Sequence, residues 1–235
     1  MENRCPFSDG KPLSVQRWET ALQSGEAAKM AVKDIGRYEE AVRALEAEAV
    51  PEGGVVLYGS STVALWPRER LTEDLRPFRA YGRGFGGSTA EEALYYYPRL
   101  VRPCAPRALV WYEGDNDPCY GYSPQRSFAL SERVFRIARA DFAGLRLILI
   151  GVKYSRNQPA DNAARRAYNR LLRRYAAERG FARYIDLPAL VNTPDGAQRE
   201  GCFAEDGVHL TAAAYSLLAG AVRQGLEEML GNETR

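Results

Sequence analysis

The chain of 235 residues contains one histidine, His209. A site that needs two imidazoles is excluded, and the two-histidine zinc sets go with it. Cysteine is scarce too: Cys5, Cys104, Cys119 and Cys202 fall at irregular intervals, with no Cys-x-x-Cys pair. They read as buried or incidental thiols, so the expectation is a protein without metal or cofactor. Neither sign of charge is in excess, with 32 Lys and Arg against 30 Asp and Glu. That balance argues against a nucleic-acid-binding stripe or a polybasic membrane surface. Long apolar runs are missing as well, and none approaches the roughly 18–20 residues of a membrane span. Residues 1–16 lack the apolar stretch of a secretory signal. A cytoplasmic location is expected.

What remains is ordinary globular material, 46% hydrophobic and 26% charged. The length suits one α/β domain and can bury a core without disulfides. Residues 1–30 lack periodicity and read as an arm. Residues 35–50 place Ile35, Tyr38, Val42 and Leu45 on one helical face, and Pro51-Glu52-Gly53-Gly54 ends that helix. The division expected is 1–50 for an arm and helix packed on the domain, and 51–235 for the domain itself.

Continuous apolar runs at 55–58, 108–112 and 145–150 have the character of strands buried on both faces. Weaker strands are expected at 78–81 and 181–185. Helical stretches lie between them at 89–100, 124–142, 160–179 and 211–230. Thr211 fits an N-cap, and Gly180 fits a glycine just past a helix end. Strands alternating with helices predict a mainly parallel sheet between helix layers, a three-layer α/β/α sandwich. In such a sheet, ligands bind beyond the carboxyl ends of the strands.

The chemistry-bearing residues sit at those ends. Gly59-Ser60-Ser61-Thr62 follows the first strand, where a serine can stand at a helix start or simply cap it. Val63 replaces the second glycine of a nucleophile elbow. Gly82, Gly84 and Gly87 satisfy Gly-x-Gly-x-x-Gly, so a nucleotide-binding loop is one alternative; close backbone approach to a reacting oxygen is another. Glu113-Gly114-Asp115-Asn116-Asp117 follows the third strand. Turn formation would account for it, yet an asparagine amide can also donate to an oxyanion. Asp206-Gly207-Val208-His209 precedes the last helix. A carboxylate three residues before an imidazole can hold its Nδ1 and leave Nε2 as a base, whereas a lone histidine can equally be structural.

These four blocks, Gly59-Ser60-Ser61, Gly87, Gly114-Asp115-Asn116-Asp117 and Asp206-Gly207-Val208-His209, resemble in order and spacing those of the SGNH (GDSL-like) hydrolases. The resemblance runs from about residue 55 to the end. It implies a flavodoxin-like α/β/α fold and metal-independent ester hydrolysis of small acyl groups, lysophospholipid-like or acylated-sugar substrates. By position, Ser61 resembles the nucleophile, His209 the general base and Asp206 its orienting carboxylate. The oxyanion hole would comprise the Ser61 and Gly87 N–H groups and the Asn116 amide. Ser60 stands where the family has aspartate. An acyltransferase on the same site is the nearest alternative. Arg83, Lys153, Tyr154 and Arg156 are candidates for substrate contact, and Tyr95, Tyr96 and Tyr97 for a pocket wall, although three successive side chains cannot share one helix face.

Overall fold

The computed structural model describes residues 34–231. The expected arm, with Cys5, lies outside them. Five strands form one parallel sheet: β1 (Val55–Gly59), β2 (Ala80–Gly84), β3 (Ala108–Tyr112), β4 (Arg146–Ile150) and β5 (Ala182–Ile185). Their spatial order is β2-β1-β3-β4-β5. Every residue of β1 and β3 is buried, as apolar runs covered on both faces require. The outer strands β2 and β5 mix buried with partly exposed residues.

Eight helices accompany the sheet among the described residues: α1 (Glu39–Glu46), α2 (Ser61–Ala64), α3 (Arg68–Asp74), α4 (Ala90–Leu100), α5 (Pro124–Asp141), α6 (Asn162–Ala177), α7 (Leu187–Val191) and α8 (Ala212–Leu230). One set packs as α1 on α4, α4 on α5 and α5 on α6; a second packs as α3 and α7 on α8. Together they sandwich the sheet, the expected α/β/α arrangement. None of the described helices is long and apolar enough to cross a membrane.

The caps explain several boundaries. Thr211 accepts a hydrogen bond from Ala214 N at 3.3 Å, starting α8 as its sequence predicts. Thr89 and Glu92 form a reciprocal capping box at the start of α4. Gly180, in contrast, does not adopt the left-handed conformation of a helix-terminating glycine; α6 already ends at Ala177, with Glu178 as its C-cap.

Strand β2 lies two residues beyond its expected position, which corrects the reading of the glycine stretch. Gly82 and Gly84 are strand residues, paired with Leu57 and Gly59 of β1, and do not form a nucleotide-binding loop. Gly84 is required by proximity: a Cβ there would lie 2.5 Å from Ala64 N in α2.

The order of the strands reverses between β1 and β3, the switch point at which open α/β sheets open a crevice. Gly59 ends β1 there with φ of +153°. A Cβ at that position would meet Tyr112 O at 1.9 Å, so only glycine lets the two strand ends run this close together.

Candidate active site

Ser60 N donates to Tyr112 O at 3.0 Å, which carries the chain from β1 across to β3. Ser61 then becomes the first residue of α2. Its N–H belongs to the first helical turn, whose donors have no partner within the helix. Ser60, Ser61 and Thr62 are all buried. No side-chain cap bond comes from Ser60, so capping does not account for its hydroxyl.

That hydroxyl instead faces Asn116. Asn116 Nδ2 donates to Ser60 Oγ at 2.8 Å and to the Ser88 carbonyl at 2.9 Å. The turn after β2 closes over Ser61: a Cβ on Gly86 would sit 3.7 Å from Ser61 Cβ. Ser61, the Gly86-Gly87-Ser88 turn and Asn116 are therefore brought together at the switch point.

Asp206 and His209 approach from the start of α8. Asp206 Oδ2 lies 2.5 Å from His209 Nδ1. Its Oδ1 accepts the backbone N–H groups of Val208 and His209, each at 2.9 Å. Burial alone would raise the Asp206 carboxyl, but these hydrogen bonds and the adjacent imidazole hold it below the usual range. The Gly207 carbonyl between them accepts from Ser155 Oγ at 3.1 Å and from Gln198 Nε2 at 2.7 Å, which joins this turn to the segment after β4. Helix α8 is in turn tied to α2, because Tyr215 OH donates to the carbonyl of Thr62, next to Ser61, at 3.0 Å. The Trp66 and Tyr215 rings add a contact at 5.2 Å.

Behind the Gly86–Ser88 turn lies a group of buried acids. Ser88 Oγ donates to Glu113 Oε1 at 2.5 Å, and Asp117 Oδ2 accepts Ala90 N at 3.2 Å. Burial pushes the Glu113 carboxyl well above the ordinary range against the opposing Ser88 hydrogen bond. It pushes Asp117 up to about 7, despite hydrogen bonds from Ser127 and Ala90. Sequence patterning places Glu113 and Asp117 in a polar cluster but not Ser88 or Glu92 beside them. The Thr89-x-x-Glu92 capping signature is the signal that finds Glu92.

The other candidates are engaged elsewhere. Lys153 is buried, with Nζ 2.5 Å from Asp115 Oδ2 and 3.1 Å from Tyr112 OH. Arg165 Nε lies 3.2 Å from Asp115 Oδ1. Burial disfavours the Asp115 charge, yet the two cations outweigh it and lower its carboxyl. Arg83 donates to the Leu45 carbonyl at 2.6 Å and to Glu48 at 3.2 Å. It lines a cavity of about 250 Å³ that none of Ser61, Gly87, Asn116, Asp206 and His209 lines. Tyr154 stacks under the Arg166 guanidinium at 4.2 Å, and Arg156 donates to the Glu205 carbonyl at 3.2 Å. Tyr96 and Tyr97 are core residues, hydrogen-bonded to the Ile35 carbonyl and to Asp141, while Tyr95 is exposed; the three do not form a pocket wall.

The family model of GDSL-like lipases and acylhydrolases matches residues 52–217, well over half of the chain. The chain belongs to the GDSL-like lipase/acylhydrolase family. It is, by that membership, a serine hydrolase. No curated protein sequence matches it. Among solved structures, it is similar to a GDSL-like lipase from Bacteroides thetaiotaomicron, with 21% identity, TM-score 0.69 and coverage of 83% of this chain and 98% of the other. A candidate acylhydrolase from Bacteroides fragilis gives 21% identity and TM-score 0.68, over 85% and 99% of the two chains. An acetylxylan esterase from Geobacillus stearothermophilus gives 17% and 0.60, over 80% and 98%. At these identities the likeness is one of fold. The GDSL-like match begins beyond α1, so residues 34–46 stand outside it.

Proposed function

We propose that this GDSL-like hydrolase is a serine esterase that cleaves carboxylic esters through an acyl-Ser61 intermediate. His209 Nε2 removes the Ser61 Oγ proton as Oγ attacks the ester carbonyl carbon. The negative charge that develops on the carbonyl oxygen is stabilised by the Ser61 and Gly87 N–H groups and by the Asn116 amide. That amide shares the Nδ2 hydrogen held by the Ser88 carbonyl with the oxyanion, while the other stays on Ser60 Oγ. Collapse breaks the bond to the leaving alkoxide, which takes the proton from His209. Water, deprotonated in turn by His209, then releases the acid and regenerates Ser61. Asp206 holds the Nδ1–H of His209 throughout, fixing the tautomer and favouring the imidazolium. Substrates in this reading are small-acyl, lysophospholipid-like or acylated-sugar esters.

The Asp206–His209 contact of 2.5 Å, with the same carboxylate fixed by two backbone N–H groups, carries the reading. It explains why the one imidazole of the chain has an orienting carboxylate. Nitrophenyl esters from acetate to octanoate supply the test. Ser61→Ala is expected to lose at least about 1,000-fold in kcat with an unchanged melting temperature. Near-wild-type turnover by that variant would overturn the nucleophile assignment. Because the chain has one histidine, full activity after complete carbethoxylation would overturn the role of His209.

A further inference from the structure

Arg37 lies outside the matched family region, in the 3-10 turn Ile35–Tyr38 that leads into α1. Its guanidinium nevertheless reaches the turn that covers Ser61. Nε donates to Glu92 Oε1 at 2.6 Å, and one Nη to Glu92 Oε2 at 3.0 Å, a bidentate pair. The same Nη donates to the Gly87 carbonyl at 3.3 Å, and the other to Tyr120 OH at 2.5 Å. The Tyr38 and Tyr120 rings stack on the guanidinium at 4.7 and 4.8 Å.

We infer that Arg37 is a positioning residue of the Ser61 site: by holding the Gly87 carbonyl, and so the Gly87–Ser88 peptide, it restricts rotation at Gly87 and keeps the Gly87 N–H, in the preceding peptide, facing the reacting oxygen. The inference rests on the reading of Ser61 as nucleophile. Gly86 and Gly87 carry no side chains, and glycine gains the most freedom when released, so the turn must be held from outside. Asn116 holds the Ser88 carbonyl, Glu113 the Ser88 hydroxyl and Glu92 the Thr89 N–H at 2.9 Å. The Gly87 carbonyl accepts from Arg37. A lysine cannot replace it, since one ammonium cannot span a bidentate carboxylate, a phenol and a carbonyl at once. The segment that carries Arg37 is itself firmly seated. Tyr96 OH donates to the Ile35 carbonyl at 2.9 Å, and Arg99 pairs with Glu39 and Glu46 at 2.8 and 2.6 Å.

The test compares Arg37→Lys and Arg37→Ala in the full chain, with the exposed Arg43→Ala as a charge control. Small displacements of a catalytic donor cost on the order of 10–100-fold. Both Arg37 variants are expected to lose about that much in kcat with KM within twofold, and added guanidinium to restore part of the Arg37→Ala rate. Amide exchange across residues 86–89 should accelerate in both variants and not in Arg43→Ala. A folded variant with kcat within threefold of wild type, a loss confined to KM, or unchanged exchange across 86–89 would overturn the inference. If Arg37→Ala does not fold, Arg37→Lys alone decides. Failure of the Ser61 reading shows separately, as a wild-type chain whose Ser61 neither turns over esters nor reacts with a fluorophosphonate. The exchange measurement still judges the positioning in that case.

Discussion

Asn116 and Ser60 meet across the crevice between β3 and β1, Nδ2 to Oγ at 2.8 Å. The second Nδ2 hydrogen goes to the Ser88 carbonyl, so one amide joins the ends of three strands. Where GDSL-like sequences have aspartate, this chain uses a neutral hydroxyl to receive the asparagine. A carboxylate at that depth would carry a desolvation cost that the hydroxyl avoids; both Ser60 and Asn116 are buried.

Ser60→Ala removes the acceptor from a buried donor. That is expected to cost about 1–3 kcal/mol of stability and to lower kcat roughly 10-fold, because the Asn116 amide loses one of its two anchors. In an Asn116→Ala background, the same substitution should change kcat less than twofold. A double-mutant cycle on kcat and melting temperature checks this. Full additivity would mean that Ser60 does not act through Asn116.

Gly84 is expected to be intolerant of any side chain. Its Cβ would fall 2.5 Å from Ala64 N and 2.7 Å from Val63 Cβ, both in the helix that begins with Ser61. Gly84→Ala should destabilise the chain by about 1–3 kcal/mol and lower kcat by displacing α2. Gly82→Ala is the comparison, since its nearest neighbour would be 3.7 Å away. Equal melting temperatures for the two variants would refute the packing argument.

These glycines also show where the sequence stops being legible. Strands β1, β3 and β4 are readable because residues buried on both faces must be continuously apolar. Strand β2 reads Ala-Tyr-Gly-Arg-Gly and is legible only as a weak strand at 78–81 whose Gly82–Gly84 end looks like a loop, because its pairing with β1 and the close approach of α2 are invisible in local pattern. Helices α2 and α3, four and seven residues long, are too short for periodicity to register. The serine, asparagine and aspartate–histidine blocks stand out since each is compact and follows an apolar strand or precedes a helix. Arg37 does not stand out, because its partners Gly87 and Glu92 are 50 and 55 residues away.

Asp117 makes stability depend on pH. Burial raises its carboxyl to about 7, whereas an aspartate in an unfolded chain titrates near 4. Between about pH 4 and 7 the folded chain keeps a proton that the unfolded chain has released. This contribution therefore falls as pH rises through that window, and the loss is complete above about pH 7. Asp117→Asn stays neutral throughout. Its melting temperature relative to wild type should be about 5–10 °C more favourable at pH 8 than at pH 5. Parallel curves from pH 5 to 8 would rule out the buried, proton-holding carboxyl.

Lys153 has the charge of a substrate contact and the surroundings of a structural one. Its ammonium, Asp115, Arg165 and Tyr112 form a buried network in which one carboxylate satisfies two cations and accepts from Tyr112 OH at 3.0 Å. Lys153→Met leaves Asp115 with Arg165, so the loss should fall near the low end for a broken buried pair, about 3 kcal/mol or ~6–12 °C. Because the ammonium is directed inward, KM for an anionic ester and for its neutral isostere should change by the same factor. A selective rise in KM for the anionic ester would show instead that Lys153 meets the substrate, and that the pair with Asp115 opens when it binds.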